Sequence, residues 1–165
     1  MKNLTRSISL TGKYASGGCR IIVIGVSRGG MQALRSLLSA LPCTFEVPVV
    51  IVQHRSEQFE DILMDYLRRW SALPVSEPYD KAPILDNQVY IAPAGYHLLV
   101  GKEGFNLSVD EPMLHARPSV DVLFESAAES YGAGCIGIVL TGSGQDGAQG
   151  LGKIKAAGGL TVGED

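Results

Sequence analysis

Cysteine is scarce and scattered in this chain of 165 residues. The three cysteines, Cys19, Cys43 and Cys135, are odd in number and no two form a C-x-x-C pair, which argues against a disulfide framework and against a cysteine-based metal or redox site. We therefore expect Cys43 and Cys135 to be buried thiols in a reducing compartment. His, Asp and Glu do not stand at metal-ligand spacing either, so neither a metal nor another cofactor is expected.

Long hydrophobic runs are also missing. The longest apolar runs, Ile21 to Val26 and Val47 to Val52, are far shorter than the roughly 18 residues that a membrane span needs. The first 18 residues contain no apolar core of a signal peptide. We expect a cytoplasmic protein that does not insert into membranes.

The chain has no cluster of Lys and Arg and no aromatic stacking platform. Its net charge is −3, and the first 20 residues hold four basic and no acidic side chains, Lys2, Arg6, Lys13 and Arg20. All of the acidic side chains therefore lie in the remainder, which makes nucleic acid an unexpected partner. Residues 1–20 are interpreted as a flexible basic tail outside the fold.

What is present is the composition of one globular domain. Hydrophobic residues make up 45% and charged residues 19% of the chain, and its length suits a single core over residues 21–165. From Arg20 onward, apolar runs of strand length alternate with segments of helical periodicity. This alternation predicts an α/β fold, a doubly wound, mostly parallel open sheet of the Rossmann-like three-layer kind.

Individual elements follow from the same periodicity. Strands are predicted at Ile21–Ile24, Val47–Val52, Cys135–Leu140 and from Leu160, and helices at about Met31–Leu41, Phe59–Trp70, Pro118–Tyr131 and Gln149–Ala157. Between them, Asp86–Val100 and Phe105–Val109 alternate and are separated by turn residues, which predicts one or two antiparallel hairpins near one sheet edge. Ser119 or the turn before it is expected to cap the third helix.

Three polar residues follow apolar runs of strand length. Ser27 lies in a G-x-S-x-G turn after the first strand, His54 directly follows the second, and Asp146 lies in the Gly-rich segment after Leu140. Because ligands bind at the carboxyl ends of parallel strands, these residues are candidates for a nucleophile, a base and an orienting acid. Taken singly, each has another interpretation, namely a phosphate-binding or structural turn for Ser27, a structural histidine for His54 and a helix cap for Asp146. The order Ser, His, Asp differs from the α/β-hydrolase order.

Five blocks in order resemble the catalytic domain of the bacterial chemotaxis protein-glutamate methylesterase, the CheB type. The resemblance covers about residues 21–165 almost without gaps. The blocks are IGVSRGG (Ile24–Gly30), VVIVQH (Val49–His54), VYIAPAGYH (Val89–His97), RPSVDVLFESAA (Arg117–Ala128) and LTGSGQDGAQGL (Leu140–Leu151).

The resemblance implies a hydrolase that removes methyl groups from glutamyl methyl esters of chemoreceptors and releases methanol, with glutamine deamidation in some members. Ser27 would be the nucleophile, His54 the general base and Asp146 the residue that orients it. Oxyanion or substrate contacts are expected from the turn and loop around the nucleophile, at Arg28, Gly29, Gly30, Gly142, Ser143 and Gly144. His97 is assigned either a substrate contact or a structural hydrogen bond, and His115 is left without a task.

Departures from the family pattern carry expectations of their own. Arg28 stands where the family has a small hydroxyl residue and Ser143 where it often has Met. The family commonly has an N-terminal receiver domain, and its catalytic domain normally continues past the strand near Leu160. The chain is therefore interpreted as lacking its C-terminal end and as relying on a separate regulator or receiver domain.

The expected partners are the methylated cytoplasmic helices of chemoreceptors. Two alternatives stay open from the sequence. One is a carboxylesterase for small molecules that uses the same three residues. The other is a non-catalytic module that binds receptors and has lost turnover.

Overall fold

A computed structural model describes residues 18–27, 29–54, 60–140 and 145–163. The predicted tail therefore lies almost wholly outside the described residues. Within these ranges the order of elements is β1 (Ile21–Val26), α1 (Met31–Ala40), β2 (Val49–Gln53), α2 (Glu60–Trp70), β3 (Val75–Ser76), β4 (Val89–Ile91), β5 (His97–Gly101), β6 (Gly104–Ser108), α3 (Val120–Tyr131), β7 (Cys135–Leu140), α4 (Ala148–Ala156) and β8 (Leu160–Gly163).

Six of the strands form one sheet in the order β3-β4-β2-β1-β7-β8, and every neighbouring pair is parallel. β1 lies inside this sheet and all six of its residues are buried, as its uninterrupted apolar sequence predicts. Its last residue, Val26, pairs with Gln53 of β2 and with Leu140 of β7. The carboxyl ends of these three strands therefore meet at one edge, and the predicted α/β fold with a mostly parallel sheet is confirmed.

The alternation of side chains along the strands divides the core into two layers. The α1–α2 core joins the side chains of β1 and β2 on one face to Leu34 and Leu38 of α1 and to Leu63 and Leu67 of α2. The α3–α4 core lies on the other face and includes Leu123 of α3 together with side chains of α4 and of strands β5 and β6. Burying each such aliphatic side chain contributes about 1.5–3 kcal/mol, so both faces of the sheet must be covered.

The third helix begins where its sequence indicates. Ser119 is the N-cap of α3 and its hydroxyl oxygen accepts a hydrogen bond from the Val122 N–H, as predicted. Gly25 of β1 allows this end of α3 to lie close to the sheet, because a Cβ on Gly25 would be only 2.3 Å from Cγ1 of Val120. The start of α3 is thus held next to the end of β1.

The middle of the chain differs in detail from the predicted hairpins. Val89–Ile91, expected in an antiparallel hairpin, is the buried strand β4 of the parallel sheet, and the two-residue strand β3 beside it was too short to predict. One hairpin does form, from β5 and β6. These two strands make a separate sheet that packs against α3.

The expectation that Cys43 is buried is wrong, whereas Cys135 is buried as predicted. Cys43 lies in the segment between α1 and β2, where its carbonyl oxygen accepts a hydrogen bond from the Asn87 side chain while the residue is exposed. Cys135 begins β7, and burial raises the pKa of its thiol to about 12. The sequence could not separate the two because a lone cysteine in a short loop has no periodic pattern around it.

Candidate active site

Ser27 and His54 continue two neighbouring strands by one residue each. The N–H of His54 donates to the carbonyl of Val26 at 3.3 Å, and the N–H of Ser27 donates to the carbonyl of Leu140 at 3.5 Å. The parallel ladders therefore extend past the ends of β1 and β2 and fix both residues at the carboxyl edge. This is the position that the sequence predicts for them.

Asp146 reaches the same edge from the turn between β7 and α4. Its Oδ2 atom lies 2.6 Å from Nε2 of His54, and the side chains of His54 and Asp146 are 31% and 4% exposed. Gly147, with φ of 104°, makes this turn possible, since a side chain is strained in that conformation and a Cβ would lie 2.9 Å from Val120. The base and the orienting acid of the predicted site are thus in direct contact.

The Asp146 carboxylate caps a helix, although a different one from the helix that follows it in sequence. Oδ2 accepts the Val120 N–H at 2.8 Å, while Oδ1 accepts the Asp121 N–H at 2.9 Å and the Ser119 hydroxyl at 2.8 Å. These backbone donors are the otherwise unpaired N–H groups at the start of α3, where the helix dipole also favours a negative charge.

These contacts keep the Asp146 carboxyl ionised. Burial alone would raise its pKa, but hydrogen bonds from His54, from the backbone N–H groups of α3 and from Ser119 outweigh burial and lower the pKa below its ordinary value. A carboxylate is acceptor-only, so Nε2 of His54 carries the proton in their shared hydrogen bond. The basic nitrogen of the neutral ring is therefore Nδ1.

A second carboxyl group, which the sequence analysis did not single out, lies beneath this site. Asp121 is 1% exposed, and its Oδ1 atom accepts the Gly150 N–H of α4 at 2.7 Å. Burial raises the pKa of Asp121, the Gly150 bond opposes this, and the negative charge of Asp146 raises it further. Asp146, which precedes α4, thus accepts hydrogen bonds from the start of α3, and Asp121 of α3 accepts one from α4. The two carboxyl groups link the two helices.

A cavity of about 480 Å³ opens beside the His54–Asp146 pair. Part of its wall is a tight turn in which Met113 and Ala116 exchange backbone hydrogen bonds. The two residues at the tip, Leu114 and His115, have positive φ angles of 48° and 66°, which are uncommon for residues with side chains. The lining residues are His54, Leu114, His115, Ala116, Arg117, Pro118, Gln145 and Asp146.

The sequence predicts no role for His115 or Leu114, yet both line this cavity. No sequence signal could have placed them there, because a turn of this backbone conformation is normally marked by Asn or Gly. Leu114 is 56% exposed.

His97 does not lie where a substrate contact is possible. It is 1% exposed, its Nδ1 atom accepts the Ser119 N–H at 3.2 Å, and its Nε2 atom lies 3.1 Å from the carbonyl oxygen of Glu111. Both ring nitrogens are used inside the protein. The structural hydrogen bond, one of the two roles assigned to His97 from sequence, therefore replaces the substrate contact.

The predicted oxyanion donors are only partly described. The Gly30 N–H donates to the carbonyl of Ser27 at 3.0 Å and so closes the turn after β1. Gly29 is exposed in the same turn, at the start of α1. Arg28, Gly142, Ser143 and Gly144 lie outside the described residues.

No helix of the described ranges is both long and apolar enough to cross a bilayer. Over the same ranges, no three His, Cys, Asp or Glu side chains are grouped as metal ligands would be.

Fold and site together define an α/β protein with a serine, a histidine and a carboxylate at the carboxyl edge of a parallel sheet. Known proteins are similar to this one over nearly the whole chain. The family model described as CheB methylesterase matches residues 22–165. The solved structure of the Thermotoga maritima CheB methylesterase catalytic domain superposes with a TM-score of 0.85 at 36% identity, covering 89% of this chain and 80% of that one.

Curated relatives agree with the family model. A putative protein-glutamate methylesterase/protein-glutamine glutaminase of Leptospira interrogans is 45% identical over 87% of this chain and 75% of its own length. Protein-glutamate methylesterase/protein-glutamine glutaminase 1 of Carboxydothermus hydrogenoformans is 44% identical over 90% of this chain and 45% of its own length. Protein-glutamate methylesterase FrzG of Myxococcus xanthus is 40% identical over 88% of this chain and 44% of its own length. The chain belongs to the CheB methylesterase family.

Proposed function

We propose that this chain is a serine hydrolase that removes methyl groups from glutamyl methyl esters on the cytoplasmic helices of chemoreceptors. The observation that carries the proposal is the 2.6 Å contact between Nε2 of His54 and Oδ2 of Asp146 at the strand edge that also holds Ser27. The names of the relatives supply the substrate class, since they are protein-glutamate methylesterases.

The proposal gives each of the three residues a role. Nε2 of His54 is bonded to Asp146, so Nδ1 is the atom that takes the proton from the Ser27 hydroxyl. The Ser27 oxygen then attacks the ester carbonyl carbon and forms a tetrahedral oxyanion. Asp146 holds the imidazole in position and stabilises its positive charge without taking the proton.

The proton that His54 takes from Ser27 is used again in the remaining steps of the cycle. The tetrahedral intermediate breaks its bond to the methoxy oxygen, which receives the proton from His54 and leaves as methanol. Water, deprotonated by Nδ1 of His54, then attacks the acyl-enzyme, restoring the Ser27 hydroxyl and releasing a glutamate carboxylate. With a glutamine side chain the same steps release ammonia, in keeping with the paired names of several relatives.

The cavity beside His54 supports access by a side chain carried on a partner protein. Its volume of about 480 Å³ accommodates a glutamyl methyl ester, and Leu114 and His115 form an exposed part of its wall. The oxyanion donors are proposed from sequence to come from Gly29 and the Gly142–Gly144 loop.

Arg28 is proposed to help dock the Glu-rich receptor segment, because a guanidinium pairs with carboxylates through planar, paired donors. It takes no part in bond breaking. Replacing Arg28 with Thr should therefore raise KM and make KM less dependent on salt, while kcat stays near its original value. Faster turnover by the variant would instead identify Arg28 as an obstruction of the cleft, and unchanged kinetics at low and high salt would reduce it to a solvated side chain.

The decisive experiment measures methanol release from receptor membranes that carry radiolabelled methyl groups. The chain should release methanol, and Ser27→Ala should abolish most of the release. Turnover of small esters without release from receptors would instead favour the small-molecule carboxylesterase. Binding to methylated receptors without hydrolysis of either substrate would favour the non-catalytic module.

A further inference from the structure

The buried polar side chains of the described residues are not spread through the fold. The fully buried ones, His97, Ser119 and Asp121, all lie at or next to the start of α3. A buried polar group must find a hydrogen-bond partner or cost free energy, so their grouping requires an explanation. Ser119 connects the group directly to Asp146.

The Ser119 hydroxyl makes a shorter hydrogen bond to Asp146 than to the backbone of its own helix. It donates to Oδ1 of Asp146 at 2.8 Å, whereas it accepts from the Val122 N–H at 3.4 Å. The first is a charge-assisted bond of normal length and the second is near the limit for a hydrogen bond. Helix capping alone therefore does not account for this residue.

His97 in turn holds Ser119. The Ser119 N–H is a donor, so Nδ1 of His97 must be the unprotonated nitrogen, and the proton lies on Nε2 and points to the Glu111 carbonyl. Glu111 is two residues before the turn that lines the cavity. A continuous set of bonds thus runs from the Glu111 carbonyl through His97 and Ser119 to Asp146 and His54.

We infer that His97 and Ser119 are positioning residues for the proposed hydrolysis: they hold the Asp146 carboxylate so that its Oδ2 atom meets Nε2 of His54. Ser119 and the Asp121 N–H donate to Oδ1 while the Val120 N–H donates to Oδ2, so bonds at both oxygens restrict rotation of the carboxylate, and Ser119 supplies the side-chain part of this restraint. Neither residue touches the substrate. The inference rests on the proposed function for its kinetic part only.

The test compares two hydroxyl deletions on the same helix. Ser119→Ala removes the donor to Asp146, whereas the matched control Ser126→Ala removes a hydroxyl that bonds only to the backbone of Val100 and Leu123. We expect Ser119→Ala to lower kcat by between about tenfold and a hundredfold, the range for a bond to a charged group, and to leave KM nearly unchanged. Ser126→Ala should leave both constants near their original values.

A second pair of variants tests His97. The side-chain oxygen of Asn takes nearly the place of Nδ1 and can accept the Ser119 N–H, so His97→Asn should retain most of kcat. His97→Leu offers no acceptor and should lose as much as Ser119→Ala. Because His97 acts through Ser119, adding His97→Leu to Ser119→Ala should cause little further loss. If the two losses of kcat multiply in the double variant, His97 acts independently of Ser119, which would overturn the inference.

A spectroscopic readout separates this inference from the proposed function. The Nε2 proton of His54, in its short bond to Asp146, should give a low-field NMR resonance that is absent from His54→Ala. It should shift or broaden in Ser119→Ala and stay in place in Ser126→Ala. An unchanged resonance in Ser119→Ala would overturn the positioning role even if methanol release is found. Lack of methanol release from the unaltered chain would overturn the function and leave this measurement valid.

Discussion

The two faces of the sheet differ in what they bury. The α1–α2 core consists of aliphatic side chains with a few partly buried larger ones around it, such as Met64 and Trp70. The opposite face combines the α3–α4 core with the buried His97, Ser119 and Asp121. Among the described residues, the buried polar side chains that bond to Asp146, and through it to the His54 ring, lie on the second face.

Stability and chemistry depend on different kinds of contact in this fold. Aliphatic packing is non-directional and tolerates small movements of its members. Hydrogen bonds to Asp146 tolerate little, because a buried donor or acceptor that loses its partner keeps its full desolvation cost. The α1–α2 face therefore mainly stabilises the sheet, whereas the α3–α4 face also fixes the position of the acid.

The largest expected effect is on turnover. His54→Ala removes the proposed base while deleting a side chain that is 31% exposed, so the fold should change little. We expect kcat for methanol release to fall by on the order of 10⁴-fold, as in comparable triads. The free energy of unfolding, measured by urea denaturation, should fall by only about 1–3 kcal/mol, because Asp146 loses its bond to His54 but keeps its donors from α3 and Ser119. Near-normal turnover by this variant would contradict the assignment of His54.

Two matched leucine deletions test whether the two faces of the sheet differ in function. Leu38 and Leu123 are both fully buried, the first in the α1–α2 core and the second on α3. Leu38→Ala and Leu123→Ala should each lower the free energy of unfolding by about 2–5 kcal/mol. Only Leu123→Ala should also lower kcat, because it loosens the helix whose start holds Asp146.

Equal losses of kcat in the two leucine variants would show that the faces are not functionally distinct. The measurement must be made well below the unfolding midpoint of both variants, so that unfolded protein does not lower the apparent kcat. A thermal denaturation curve of each variant provides that control.

The acid dependence of stability is expected to change by a smaller amount. The pKa of Asp146 is lower than its ordinary 3.8, so the stabilising carboxylate form is fully present above that value and is lost as pH falls below it. The pKa of Asp121 is raised, so its contribution acts in a different window, above 3.8, where stability falls as pH rises. Unfolding of Asp146→Asn should therefore depend less on pH below 3.8 than unfolding of the original chain. If Asp146→Asn and the original chain show the same acid dependence of unfolding, the stabilising hydrogen bonds assigned to the Asp146 carboxylate would be contradicted.

Much of this arrangement can be predicted from sequence, for physical reasons. A short apolar run such as Ile21–Val26, bounded by Gly and polar residues, is typical of a strand covered on both sides, and polar residues directly after such runs are then expected at the strand ends. This reasoning places Ser27 and His54. The capping role of Ser119 follows from its place before an apolar periodic segment.

The remainder depends on tertiary contacts that leave no local pattern. The sequence makes Asp146 a candidate cap for the helix that follows it. The structure shows that it caps α3, whose first residue, Val120, lies 26 residues earlier in the chain. Asp121 resembles an ordinary acid in a first helical turn, although it is buried against Gly150 of α4. Leu114 and His115 reach the cavity through a backbone conformation that their side chains do not favour.

The smallest expected effect is a difference in thiol reactivity between the two sides of the molecule. Cys43 is exposed after α1, whereas Cys135 is buried in the α3–α4 core with a pKa raised to about 12. Because the thiolate is the reactive form, a disulfide reagent at neutral pH should modify Cys43 first and the half-buried Cys19, whose pKa burial also raises, more slowly. Cys135 should react only as fast as the protein unfolds, so its modification should accelerate in urea. Cys43→Ser should remove the fast phase alone, without changing kcat, because Cys43 is exposed and precedes the amino end of β2, whereas His54 follows the carboxyl end of that strand. Rapid modification of Cys135 in native buffer would show that the α3–α4 core opens locally, and would weaken the argument that this face holds Asp146 rigidly.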